Sequence, residues 1–298
     1  MQITAQMVKE LREQTGAGMM DCKKALVETE GDIAKAVEFL QVKGMAAAAK
    51  KASRVAAEGL VSTWISDDAK QGVIVELNCE TDFVSRNEAF HELIATFTNT
   101  IGPSSATTIE EALELNADGQ TLADVLKEGI ATIGENIQLR RFERLNAPEG
   151  FVANYIHAGS QIGVIVAVKS DKGADAHADF ARDVAMHVAA MAPAVLSQDQ
   201  IDADKSAAQQ EIFTQIVIEE GKPANIAPKI VEGKMAKWRR EVSLLDQPFV
   251  KNPDLTIDQY QKEVGGVQLL GFSRLQVGEG IEKEEKNLAD EVAEQLKG

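Results

Sequence analysis

Two blocks of sequence recur in this chain at the same offset, and they limit what it can fold into more than any other feature. Glu58-Gly59-Leu60-Val61 returns as Glu149-Gly150-Phe151-Val152, and Gly72-Val73-Ile74-Val75 returns as Gly163-Val164-Ile165-Val166, both 91 residues later. Equal spacing between two matched blocks is hard to reach by chance and marks a duplicated unit. In each copy a strand-like run (60–65; 151–156) passes through a turn, Asp67-Asp68-Ala69-Lys70 or Ala158-Gly159-Ser160-Gln161, into a second strand. That is the signal of a hairpin. A helical stretch follows in each copy (86–100; 175–191). A third match aligns Ile137-Gln138-Leu139 with Val267-Gln268-Leu269, now at an offset of 130. The second copy therefore carries 39 extra residues, the difference between the two offsets, between its helix and its last strand.

The insertion can be located. After Pro193, residues 197–218 place Ile212, Ile216 and Val217 on one helical stripe; Gly221-Lys222-Pro223 makes a turn; Ile226, Ile230, Met235 and Trp238 form a second stripe. Two amphipathic helices joined by a short turn read as an antiparallel helical hairpin. Each copy reads as a three-stranded antiparallel sheet with helices on one face, so the class is α+β. Three short helices precede the repeat. Thr4 caps the first, the second runs from Met19 to about Glu28, and Asp32 caps the third, with Ile33, Val37 and Leu40 inward. Helices of about ten residues are not stable alone, so these must pack as a bundle. The alanine-rich stretch 46–57 reads as a basic helical linker, and Leu288, Val292 and Leu296 mark a terminal amphipathic helix. The expected domains are 1–54, 55–146, 147–278 with the hairpin inserted at about 197–241, and 279–298.

The chain has 31 Lys and Arg against 47 Asp and Glu, a net charge of −16. Phosphate neutralisation needs clustered cations, so a direct nucleic-acid partner is disfavoured. Residues 1–54 hold nine basic against seven acidic residues, which leaves about −18 on the remainder. No run is long enough to span a membrane, and the N-terminus lacks the basic and apolar regions of a signal peptide, so a cytoplasmic location is expected. Cys22 and Cys79 lack metal-ligand spacing and read as reduced, packed thiols.

No set of nucleophile, base and orienter is found. His91, His157, His177 and His187 show no metal spacing, and His187, on an apolar helix, reads as a satisfied interior histidine. Gly16-Ala17-Gly18 precedes a helix but lacks the lysine and hydroxyl of a phosphate loop. No cofactor and no catalysis are expected; a binding protein is. Met19 and Met20 suit that class, since helix neighbours point about 100° apart and both cannot face one small interior.

Between the first hairpin and its helix lies Asn78-Cys79-Glu80-Thr81-Asp82-Phe83-Val84-Ser85-Arg86-Asn87-Glu88. Ser85 and Glu88 have the spacing of a capping box, and Val84 stands where an apolar residue staples the first turn. Phe83 is left on the loop, either folded back into the core or displayed to a partner.

Two stretches, residues 11–26 (Leu11-Arg12-Glu13-Gln14-Thr15-Gly16-Ala17-Gly18-Met19-Met20-Asp21-Cys22-Lys23-Lys24-Ala25-Leu26) and 78–84, closely resemble the two signatures of the bacterial elongation factor Ts family. Ile133-Gly134-Glu135-Asn136-Ile137, Met186-His187-Val188-Ala189-Ala190-Met191, Gln247-Pro248-Phe249-Val250 and Val277-Gly278-Glu279-Gly280 are similar in turn, so the resemblance covers essentially the whole chain. It implies an N-terminal three-helix UBA-like bundle, a core of two related subdomains, an inserted coiled-coil hairpin and a C-terminal helical module. It implies a nucleotide-exchange factor for elongation factor Tu, with Thr81, Asp82, Phe83 and Val84 dislodging the partner's Mg²⁺. Arg12, Met19, Met20 and Lys23 would approach the partner's nucleotide domain, and His157 and Gly163 another partner domain. Homodimerisation through the hairpin is left open. The family often carries a glycine-rich, basic hairpin tip, whereas this chain has Ala158-Gly159-Ser160-Gln161.

The second copy, together with the family resemblance, decides between the two fates of Phe83. Its equivalent stretch, near Lys172-Gly173-Ala174, has no aromatic. A side chain required by the shared fold should have a counterpart there, so display is expected. Two rival classes remain to be separated by experiment: a small-molecule enzyme and an adaptor acting through residues 1–54 alone.

Overall fold

The computed structural model describes residues 3–282. The described chain divides into two compact units, one holding residues up to Val61, Val75–Arg141 and the described residues from Gln276, the other Ser62–Ile74 and Phe142–Leu275.

In the first unit, α1 (Ala5–Thr15) starts where the Thr4 hydroxyl accepts the Met7 N–H at 3.3 Å, and ends at Gly16. α2 (Met19–Glu28) and α3 (Ile33–Lys51) follow, α3 capped by Asp32, whose Oδ1 accepts the Lys35 N–H at 3.1 Å. Leu11, Cys22, Ala25, Leu26 and Ala36 are completely buried in this bundle. α3 is one helix of 19 residues rather than a short helix and a separate linker. Alanine has the highest helix propensity, so the run after Gly44 prolongs α3 to Lys51, and 52–57 are not helical.

The hairpin strands β1 (Glu58–Ile65) and β2 (Gln71–Cys79) lead to a one-turn helix, α4 (Asp82–Ser85), then to α5 (Glu88–Ile101) and α6 (Ile109–Leu113). A small ribbon, β3 (Asn116–Ala117) with β4 (Gln120–Thr121), precedes α7 (Leu122–Ile133) and β5 (Gln138–Asn146). The sheet order is β1-β2-β5. Phe90, Phe97 and Ile101 of α5 are completely buried, and each such side chain contributes about 1.5–3 kcal/mol. The cap of α5 differs from the expected Ser85: it is Asn87, whose side-chain oxygen accepts the Ala89 N–H at 3.0 Å. Ser85 is instead buried in α4, its hydroxyl donating to the Asp82 carbonyl.

In the second unit, β6 (Gly150–Ile156) and β7 (Ile162–Ser170) pair antiparallel, with Phe151 opposite Val168 and Ile156 opposite Gly163. α8 (Ala174–Met191) packs across both, burying Phe180, Val184 and Val188 against Val164, Val166 and Val168. α9 (Ala203–Glu219) and α10 (Ala227–Val242) form the expected hairpin; β8 (Pro248–Phe249), β9 (Asn252–Thr256), α11 (Ile257–Val264) and β10 (Val267–Gln276) complete the unit. The sheet order β6-β7-β10 repeats that of the first sheet, with the middle strand supplied by the second arm of the hairpin. The α+β class and the duplication are thus both present.

The repeated glycines have a common cause. A Cβ on Gly59 would stand 2.1 Å from the Leu77 carbonyl oxygen, and one on Gly150 would stand 1.8 Å from that of Val168. Leu77 and Val168 are themselves 91 residues apart, so the same close strand approach, open only to glycine, occurs in both copies.

The hairpin stripe is turned relative to expectation. Val217 packs with Val231, Met235, Phe213, Ile230 and Trp238, whereas Ile212, Ile216 and Ile226 are exposed. Phe213 and Val217 are as well spaced for a helix face as Ile212 and Ile216, and the partner helix selects the first pair. The terminal helix read at Leu288, Val292 and Leu296 lies outside the described residues. Among the described residues no helix is long and apolar enough to cross a membrane.

Candidate functional site: a displayed phenylalanine on a clamped loop

The loop from β2 to α5 turns at Thr81. Its hydroxyl accepts the Val84 N–H at 3.4 Å and so caps α4, the single turn that carries Asp82, Phe83 and Val84. Phe83 is 82% exposed, the most exposed large apolar residue among those described. Its neighbours on the turn have partners: Asp82 pairs with Arg86 at 2.9 Å across four residues, and Val84 is half-buried. Burying Phe83 against another molecule would recover about 1.5–3 kcal/mol that the free chain leaves unused.

The loop is held from the far side of the same unit. The left-handed Gly134, with φ 92°, ends α7, and the next residue, Glu135, directs its carboxylate at the loop. Glu135 Oε2 accepts the backbone N–H groups of Glu80 and Thr81, both at 3.0 Å, and Oε1 accepts the Thr81 hydroxyl at 2.6 Å. In return, Glu80 Oε1 accepts the Asn136 N–H at 2.6 Å and lies 3.4 Å from Arg54, while Asn136 Nδ2 donates to the Arg54 carbonyl at 2.7 Å. Cys79 is buried beneath and donates to the Thr81 carbonyl at 3.2 Å. Burial first, and the Glu135 charge second, push its thiol up to about 12, which disfavours the reactive thiolate.

Arg12 on α1 and Met19, Met20 and Lys23 on α2 are exposed, Met19 and Met20 at 55% and 74%. Their helices are fixed by the buried alternate face, Leu11, Cys22, Ala25 and Leu26. Val27, also exposed, stands seven residues beyond Met20 on the same stripe and escaped the sequence reading.

His157 and Gly163 belong to the second unit. His157 is exposed at the end of β6, with Nδ1 2.9 Å from the Tyr155 hydroxyl; Gly163 is buried in β7 opposite Ile156. The tip between them, Ala158–Ser160, is a tight turn without a charged side chain. His187 is a satisfied interior histidine, as expected. Its Nε2 lies 2.9 Å from Gln247 Oε1 and its Nδ1 accepts the Val250 N–H at 3.2 Å, which places the ring proton on Nε2. Among the described residues no group of three or more His, Cys, Asp or Glu side chains could hold a metal ion.

A family model described as elongation factor TS matches residues 80–279. The chain belongs to the elongation factor Ts family. It is 48% identical to elongation factor Ts of Clostridium kluyveri over 304 residues, covering 99% of both chains. It is 49% identical to that of Clostridium perfringens over 297 residues, covering 98% of both, and 48% identical to that of Clostridium novyi over 302 residues, covering 99% of both. The match to elongation factor Ts is therefore of full length and includes the loop of Phe83, the helical hairpin and both sheets.

Proposed function

We propose that this chain is a guanine-nucleotide exchange factor that binds elongation factor Tu, displaces its Mg²⁺ and promotes release of GDP so that GTP can bind. The observation that carries the reading is Phe83, which is 82% exposed on a loop clamped by side chains of its own unit. A displayed aromatic is costly to leave in water and well suited to wedging into a partner.

The loop Thr81, Asp82, Phe83 and Val84 acts at the partner's magnesium site. Burial of one phenylalanine, worth about 1.5–3 kcal/mol, tilts a nucleotide-bound state against a displaced one by about ten- to a hundredfold. Magnesium bridges phosphate oxygens and protein ligands, so its loss amplifies that shift. Arg12, Met19, Met20 and Lys23 of the bundle (1–54) approach the partner's nucleotide domain, and the β6–β7 hairpin with His157 and Gly163 grips a second partner domain. Linkage requires that nucleotide-bound partner hold the factor more weakly than empty partner does. The chain makes no covalent bond in this scheme.

The test is loss of labelled GDP from elongation factor Tu with substoichiometric chain. Acceleration by wild type, reduced in Phe83→Ala with an unchanged melting temperature, is the expected result. Absence of acceleration by wild type overturns the reading.

A further inference from the structure

Glu135 stands 52 residues beyond Phe83 in sequence, yet it is the side chain that organises the loop on which Phe83 stands. Its carboxylate takes hydrogen bonds from the Glu80 N–H, the Thr81 N–H and the Thr81 hydroxyl. The last of these sets the direction of everything after it. With its proton committed to Glu135, the Thr81 oxygen presents a lone pair to the Val84 N–H, and this contact caps α4. Phe83 lies between the two ends of that capped turn.

The clamp is reciprocal. While the backbone of Glu80 donates to Glu135, the carboxylate of Glu80 accepts the backbone N–H of Asn136, the residue after Glu135. Two adjacent chain segments thus exchange carboxylate-to-amide bonds in opposite directions. Charge-assisted bonds of this kind are about twice as strong as neutral ones. Such an exchange fixes both the separation and the angle of the two segments.

We infer that Glu135 is a positioning residue for exchange, acting through Thr81 to hold Phe83 in the attitude that engages the partner. The inference rests on the exchange reading given above. Phe83 is 82% exposed, so little packing holds it and its orientation follows the turn that Thr81 caps and Glu135 clamps. A glutamine at 135 keeps an oxygen for the two N–H groups and turns the third bond round, its amide donating to the Thr81 hydroxyl oxygen, whose other lone pair still receives the Val84 N–H, so the clamp keeps its bonds without its charge. An alanine removes it.

The experiment measures labelled-GDP release from elongation factor Tu as a function of factor concentration, using full-length wild type, Glu135→Ala, Glu135→Gln, Phe83→Ala and the Phe83→Ala/Glu135→Ala double variant. Glu135→Ala should lower the maximal exchange rate by about tenfold, the scale of a lost buried hydrogen-bond partner. Glu135→Gln should stay within about threefold of wild type. In the Phe83→Ala background, Glu135→Ala should have no further effect, since residues acting as one unit are not additive. A Glu135→Ala variant as fast as wild type, a Glu135→Gln variant as slow as the alanine, or losses that multiply in the double variant would each overturn the inference. Should Glu135→Ala fail to fold, Thr81→Val removes the same hydroxyl link and must give the same slowing and the same non-additivity, or the inference falls. If wild type itself releases no nucleotide, the exchange reading fails and this inference with it. If wild type is active and Phe83→Ala is slow while Glu135→Ala is normal, only this inference fails.

Discussion

Asn154 donates its side-chain amide to the hydroxyl of Thr63 at 2.6 Å, and the two residues are 91 positions apart. They are the same position in the two copies of the repeat. A second equivalent pair behaves alike: Ser273 donates to Glu143, 130 positions earlier, which is the offset of the third strands. All four residues lie in the second unit. The offset read from the sequence thus has a geometric counterpart.

Gly59→Ala and Gly150→Ala should destabilise the chain to a similar degree. Each Cβ would press on a carbonyl oxygen of the neighbouring strand, at 2.1 and 1.8 Å. Backbone cannot yield as a flexible side chain does, so a loss of at least about 3 kcal/mol is expected for each. Urea unfolding measures it, and a loss below about 1 kcal/mol would contradict the close approach.

Glu76 is completely buried and binds Arg140 Nη1 at 2.8 Å, Arg141 Nε at 2.6 Å and the Gly278 N–H at 2.8 Å. Removing one member of a buried ion pair costs about 3–5 kcal/mol. Because the Arg140 and Arg141 side chains remain 22% and 31% exposed, Glu76→Gln should fall near about 3 kcal/mol. Chemical denaturation of the variant reads this directly.

Burial holds the pKa of His187 below its ordinary value of 6.5, against an opposing contribution from Gln247. The unfolded chain therefore takes up this proton at a higher pH than the folded one. Stability from this site is complete above 6.5 and is lost as pH falls from there toward the lowered folded value. Comparing urea midpoints of wild type and His187→Gln across that range should show the steeper decline in wild type. Parallel curves would remove His187 as the cause.

Cys79 should resist alkylation in the folded chain and react once it is unfolded. Its thiol is buried and pushed up to about 12 from an ordinary 9.0, and the thiolate is the reactive form. Because the folded value is raised, stability from this site is full below 9.0 and lost as pH climbs toward about 12. Mass spectrometry after iodoacetamide treatment, with and without urea, gives the answer.

The duplicated sheets, the inserted hairpin and the bundle helices could be read from the chain because spacing and period are local properties that the fold leaves intact. The cap of α5 could not. Ser85 and Asn87 both satisfy the local rule, but Thr81 caps an extra turn that takes up Ser85, which leaves Asn87 to cap α5. The hairpin face was ambiguous for a related reason: two stripes offset by one residue fit the same period, and only Val231 and Met235 across the turn select Val217. Display of Phe83 was accessible through the unmatched second copy. Its support was not, because no pattern near residue 81 announces a carboxylate 54 residues away.

The grip on the loop addresses backbone amides and the Thr81 hydroxyl, and none of its bonds reaches the phenyl ring. Mount and tool are therefore separable, like a chuck and its bit. Position 83 can take a different side chain without unsettling the turn that carries it, so a series from alanine through leucine to tryptophan would vary the displayed side chain alone. A single codon therefore sets what the loop displays, while the holder stays untouched.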